Sequence, residues 1–72
     1  MDESAKVNPD AERTEPIMRF FDYGHLPQRL QLVSAPFARL AGDLLALPRS
    51  AERTVALRKL LESKDAAVRA AL

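Results

Sequence analysis

Seventy-two residues make one domain at most, and 11 Lys and Arg against 10 Asp and Glu leave a formal charge of +1, too balanced for a protein whose whole surface is basic. The absence of Cys excludes a disulfide framework, a thiol nucleophile and any Cys-based metal site, and the single His, His25, argues against a His-rich metal site or a Ser-His-Asp triad. No apolar run approaches the roughly 18 residues that span a bilayer, and residues 1–10 lack the basic-then-apolar pattern of a signal peptide, so a cytosolic binding or assembly module is expected rather than an enzyme.

Residues 1–16 are polar, hold Pro9 and Pro16, and contain one large aliphatic, Val7; they read as a mostly flexible segment. Within it, Asn8 is placed to cap a short helical turn with Pro9 at its first position, and Pro16 would end that turn. Residues 17–25 are different, since they carry two of the three Phe and the one Tyr beside Gly24. Helical signals are weak there, and an extended, aromatic-rich arm is predicted leading into a helical domain over 17–72.

The chain as a whole reads as all-α. Its 12 Ala and 11 Leu against two Gly are residues that lose little rotamer freedom in a helix, and no stretch alternates with the period of a half-buried strand. Pro27 suits a first helical position. Leu26, Leu30, Val33, Phe37, Leu40, Leu44 and Leu47 then recur at spacings of 4, 3, 4, 3, 4 and 3, a heptad seam. Pro36 removes one amide donor and crowds the carbonyl of Leu32. The register runs through it without a skip, however, which predicts one kinked helix rather than two.

Leu47-Pro48-Arg49-Ser50 predicts the turn, with Ser50 as N-cap of a second helix running from Ala51 towards Leu72 and Glu52 near its positive end. Leu57, Leu60, Leu61, Val68, Ala71 and Leu72 share one side with Lys64, and Asp65 and Arg69 are spaced as an i,i+4 pair. A short connection between two long helices predicts an antiparallel hairpin. Below about 70–80 residues a lone core seldom yields more than ~3–5 kcal/mol, and the leucines outnumber what one internal seam can bury. Other copies of the chain are the expected partners of the surplus. On this reading Leu40 lies in the seam, and a charge placed there would break folding and assembly together.

Charge is unevenly spread: residues 1–22 hold three basic and six acidic side chains, residues 23–72 eight and four. The basic residues Arg29, Arg39, Arg49, Arg53, Arg58, Lys59, Lys64 and Arg69 ordinarily form a solvated face, but symmetry multiplies each into a ring or pair of charges that can hold an anion. The run Arg19-Phe20-Phe21-Asp22-Tyr23-Gly24-His25 supports two readings. Rings stack on nucleobases and arginine forks meet phosphates, so the segment can clamp a nucleotide; equally, Phe20 or Phe21 can plug the hairpin core. His25, alone, has no implied second acid or base for catalysis.

The run Phe21-Asp22-Tyr23-Gly24-His25-Leu26-Pro27, with Val33-Ser34-Ala35-Pro36-Phe37, Leu47-Pro48-Arg49-Ser50-Ala51-Glu52-Arg53 and Ala56-Leu57-Arg58-Lys59-Leu60-Leu61-Glu62, resembles the phage anti-CBASS hairpin family over roughly residues 20–72. Gly24 separates Tyr23 from His25, which are adjacent in many members. The family consists of small proteins that sequester the cyclic oligonucleotide messengers of bacterial immunity. The resemblance implies a two-helix antiparallel hairpin with an N-terminal arm, assembled as a symmetric hexamer in the cytoplasm of the infected bacterial host. It implies cyclic dinucleotides bound between protomers and, in some members, cyclic trinucleotides at separate threefold sites. By motif, Tyr23 would stack on or hydrogen-bond the cyclic dinucleotide, Phe21 and His25 would shape the pocket wall, Arg39 would meet phosphate, and Arg69 would serve a threefold anion site. No catalysis, cofactor, metal, DNA or membrane is expected, and the competing expectation is an oligomeric helical adaptor that docks a partner protein without any nucleotide.

Overall fold

The computed structural model describes residues 15–72. The expectations for residues 1–14, including the Asn8-capped turn and most of the flexible segment, lie outside the described residues. Three elements follow in order: a 3-10 helix over Pro16–Phe21, helix α1 over Gln28–Leu44 and helix α2 over Ala51–Ala70. The two α-helices form the expected hairpin, and the 3-10 helix packs across both.

Each boundary has a local cause. Pro27 stands at the N-cap of α1, and its carbonyl accepts from the amides of Leu30 and Gln31 at 2.9 and 3.0 Å. Helix α1 is continuous through Pro36. The carbonyl of Leu32 loses its helical donor there, at a residue that is itself 73% exposed. Helix α1 ends at Leu44, three residues short of the last seam leucine, and tightens through bonds from the amides of Leu45, Ala46 and Leu47 to the carbonyls of Gly42, Asp43 and Leu44 at 3.1–3.2 Å. Ser50 caps α2 as the sequence indicates, its Oγ accepting from the amide of Arg53 at 3.0 Å, with Glu52 in the first turn. Ser50→Ala is expected to cost about 1 kcal/mol, read as a lower midpoint in chemical denaturation. An unchanged midpoint would show that water replaces the cap.

At the open end of the hairpin, the Arg29 guanidinium donates to the carbonyl of Ala71 at 2.6 Å, joining the start of α1 to the end of α2. Asp65 pairs with its neighbour Lys64 at 3.0 Å instead of with Arg69. The Lys64 side chain is mostly covered, and its ammonium reaches Asp65.

The core differs from the expected one in its rotation. Leu30, Ser34 and Ala41 are the buried residues of α1, Arg53 and Leu57 those of α2. Met18, Phe21, Ala41 and Leu57 form the central cluster, bordered by Ile17, Phe37, Ala38, Leu44, Leu45, Leu60 and Leu61. The face of α1 turned inward therefore runs through 30, 34, 37/38, 41 and 44/45, offset from the heptad seam. The 3-10 helix is the reason: it presents a second surface to α1, so the helix turns its inner face between two neighbours instead of aligning the seam on α2 alone. Leu40 and Leu47 stay about half exposed, at 48% and 50%. This corrects the placement of Leu40: within one chain it is a half-exposed residue outside the core, so a charge there is expected to leave the hairpin fold standing.

Candidate functional site

The segment expected to be an extended arm is a 3-10 turn followed by a tight loop. With three residues per turn, side chains at i and i+3 eclipse, which puts Met18 and Phe21 on one side; both are fully buried, at 1% and 0% exposure. An extended strand would have set Met18 and Phe21 on opposite faces. Burial of that pair against Ala41 and Leu57 outweighs the weak local helical preference.

The loop is held by its own hydrogen bonds. The Asp22 amide donates to the carbonyl of Arg19 at 3.2 Å, and Asp22 Oδ1 accepts from the Gly24 amide at 3.2 Å. The Leu26 amide donates to the carbonyl of Tyr23 at 3.1 Å. Gln31 of α1 reaches back, its Nε2 donating to the carbonyl of Leu26 at 2.8 Å and, at longer range, to that of Gly24 at 3.4 Å. The backbone from Arg19 to Leu26 is thus tied to itself and to α1.

This geometry sorts the aromatic run by side. Phe21 is in the core and Tyr23 is buried at 6% exposure, while Phe20 is half exposed and His25 lies at the surface. The Arg19 guanidinium sits over the Phe20 ring, 4.9 Å from its centroid. Of the two core plugs the sequence allowed, Phe21 takes the place and Phe20 is left outside. Stacking by Tyr23 and a pocket wall made by Phe21 were expected from the motif; in the single chain both rings face inward, side by side in the sequence with the exposed pair Arg19 and Phe20. Arg39 and Arg69 are exposed on α1 and in the last turn of α2, and His25 is at the loop. Among the described residues no hydrogen bond or ion pair joins any of these three to Phe21 or Tyr23.

Arg53 departs from the solvated role expected of the basic residues. It is 5% exposed, and its Nη1 donates to the carbonyls of Leu45 and Leu47 at 3.1 and 2.9 Å while its Nη2 meets Glu15 Oε2 at 2.9 Å. One side chain therefore closes the hairpin turn and ties the 3-10 segment to it. The sequence signal was present but ambiguous: Arg53 falls four residues before Leu57 on the inner face of α2, a position that a cation occupies only with partners.

Among the described residues, no three His, Cys, Asp or Glu side chains converge in a metal-binding arrangement, and no helix is long and apolar enough to cross a membrane. Compared with family models, curated proteins and solved structures, the chain gives no match.

Proposed function

We propose that the protein is a non-catalytic sponge for cyclic oligonucleotides, acting as a symmetric oligomer that withholds such messengers from CBASS signalling in an infected bacterium. Its support is the resemblance to the phage anti-CBASS hairpin family together with one geometric observation: an aromatic ring, Phe20, half exposed under a guanidinium, on a backbone held rigid by its own hydrogen bonds. A base can stack on such a ring while the guanidinium meets phosphate, and neither interaction needs an acid or base catalyst. In this reading Arg19, Phe20 and His25 meet the ligand, and Phe21 and Tyr23 hold the wall on which they stand. Arg39 and Arg69 project outward and serve a ligand only where copies of the chain meet, Arg39 beside a cyclic dinucleotide and Arg69 at a threefold site of the hexamer.

Isothermal titration against a panel of cyclic di- and trinucleotides tests the reading, with the ligand recovered and analysed afterwards. Binding with unchanged ligand is expected; no heat at micromolar concentrations, or a hydrolysed ligand, overturns it. Phe20→Ala is expected to weaken binding about tenfold or more, the value of one base-aromatic stack, with little effect on folding because the ring is half exposed. Unchanged affinity in that variant would move the site away from Phe20.

The second reading, an adaptor that docks a partner protein, is favoured by one observation: Leu32, Leu40, Leu47 and Val55 remain exposed at 48–73%. It predicts a monomer or dimer without nucleotide binding, so a closed hexamer in native mass spectrometry counts against it.

A further inference from the structure

Beside the exposed ring of Phe20 stands a group that neither stacking nor phosphate binding uses. Arg19 and Asp22 lie at the end of the 3-10 helix, where the Asp22 amide closes the last turn by donating to the carbonyl of Arg19 at 3.2 Å. Three residues make one 3-10 turn, so the two side chains leave the same side, about 6 Å apart along the axis. Arg19 leans over the half-exposed Phe20 ring, 4.9 Å from its centroid. Asp22 is part-exposed, and its Oδ1 accepts from the Gly24 amide at 3.2 Å, which orients the carboxylate. Among the described residues Oδ2 accepts no hydrogen bond and the side chain forms no ion pair. The carbonyls of Arg19, Tyr23, Gly24 and Leu26 are already taken, within the loop or by Gln31. The Asp22 carboxylate is thus a strong acceptor that the loop presents beside its stacking ring.

We propose that Asp22 makes this stacking site selective for guanine. The inference rests on the cyclic-oligonucleotide reading above and names the base that the site takes. Guanine carries two donors side by side on its Watson–Crick edge, N1–H and the N2 amino group, spaced for the two oxygens of one carboxylate. With the base on the Phe20 ring, that edge meets Asp22: Oδ2 accepts from one donor, and Oδ1 accepts from the other with the lone pair that the Gly24 amide leaves over. Adenine sets a lone pair, on N1, beside its amino group, so one carboxylate oxygen would face an acceptor and lose its water without gaining a bond. Cytosine and uracil offer a single donor group on that edge. A carboxylate also repels the phosphates of any such ligand, and only bonds to donors on the base offset that cost. Asp22 therefore discriminates between bases instead of adding affinity to all of them.

The test is isothermal titration of the full chain with three cyclic dinucleotides, carrying two guanines, two adenines or two hypoxanthines. The guanine ligand is expected to bind about tenfold or more tighter than the adenine ligand, the value of one bidentate base contact. Hypoxanthine keeps N1–H but lacks the N2 amino group, and its ligand is expected to fall between them. Asp22→Asn keeps an oxygen for the Gly24 amide and turns the other oxygen into an NH2 donor. It is expected to erase the preference, weakening the guanine ligand and strengthening the adenine ligand, whose N1 accepts from the new donor. Circular dichroism is expected to stay helical, because the side chain is part-exposed and its bond to Gly24 is kept. Equal affinity for the guanine and adenine ligands, a hypoxanthine ligand bound as tightly as guanine, or a preference that survives in a helical Asp22→Asn chain would each overturn the role of Asp22 and leave the sponge standing. The first two readouts need no substitution. Binding of none of the three ligands overturns the sponge itself, and this inference with it.

Discussion

Phe21→Ala is expected to unfold the chain to a large extent at ambient temperature, with loss of helical circular dichroism and no cooperative thermal transition. Phe21 is fully buried in a cluster whose other buried members are Met18, Ala41 and Leu57. Truncating a buried Phe costs about 3–5 kcal/mol through lost transfer energy and the cavity left behind. A small domain without disulfides commands about that much stability in total. The substitution also separates the two roles the motif suggested for this ring. If Phe21 acted mainly by touching a ligand, the variant would fold as the wild type does and lose only binding. A variant with native helicity and a midpoint within 1 kcal/mol of wild type would overturn the core assignment. The comparison is made at one fixed protein concentration, since assembly couples stability to concentration.

Arg53→Met should be nearly as damaging, by about 3–5 kcal/mol, although it replaces a charge by an apolar chain of similar length. The guanidinium serves three acceptors, the carbonyls of Leu45 and Leu47 and the carboxylate of Glu15. Methionine fills the volume but leaves the Glu15 carboxylate, 12% exposed, without its cation and the turn carbonyls without their donor. Glu15→Gln keeps a hydrogen-bond acceptor at the same place and is expected to cost clearly less. Urea denaturation of the two variants beside wild type gives the comparison. A larger loss from Glu15→Gln than from Arg53→Met would show that the ion pair, rather than the turn carbonyls, is what Arg53 supplies.

These two residues also mark where the sequence was and was not legible. Helix positions, the Ser50 cap, the passage of α1 through Pro36 and the antiparallel hairpin all depend on residues within a few positions of one another, and each could be read locally. The 3-10 turn could not. Its local preferences are weak, and it forms because Met18 and Phe21 both find cover on residues 20 or more positions further along the chain. Arg53 looked like one more surface cation because its partners, Glu15 and the carbonyls of the turn, are brought to it only by folding. The candidate site divided in the same way. An aromatic cluster beside Arg19 was visible, but which ring faces outward depends on the 3-10 turn, and Phe20 rather than Phe21 or Tyr23 is the more exposed.

Taken alone, then, the sequence determined the two α-helices, the Ser50-capped start of the second and their antiparallel order, because capping, proline geometry and helical periodicity act over one or two turns. It also indicated more apolar surface than one hairpin can bury. Only the tertiary structure decided the rotation of α1. Packing against two neighbours, α2 and the 3-10 helix, turned Leu30, Ser34 and Ala41 inward and left Leu32 and Leu40 outside. A heptad pattern specifies that a helix has a sticky side; which other surface covers it is set by everything else that competes for the same interior.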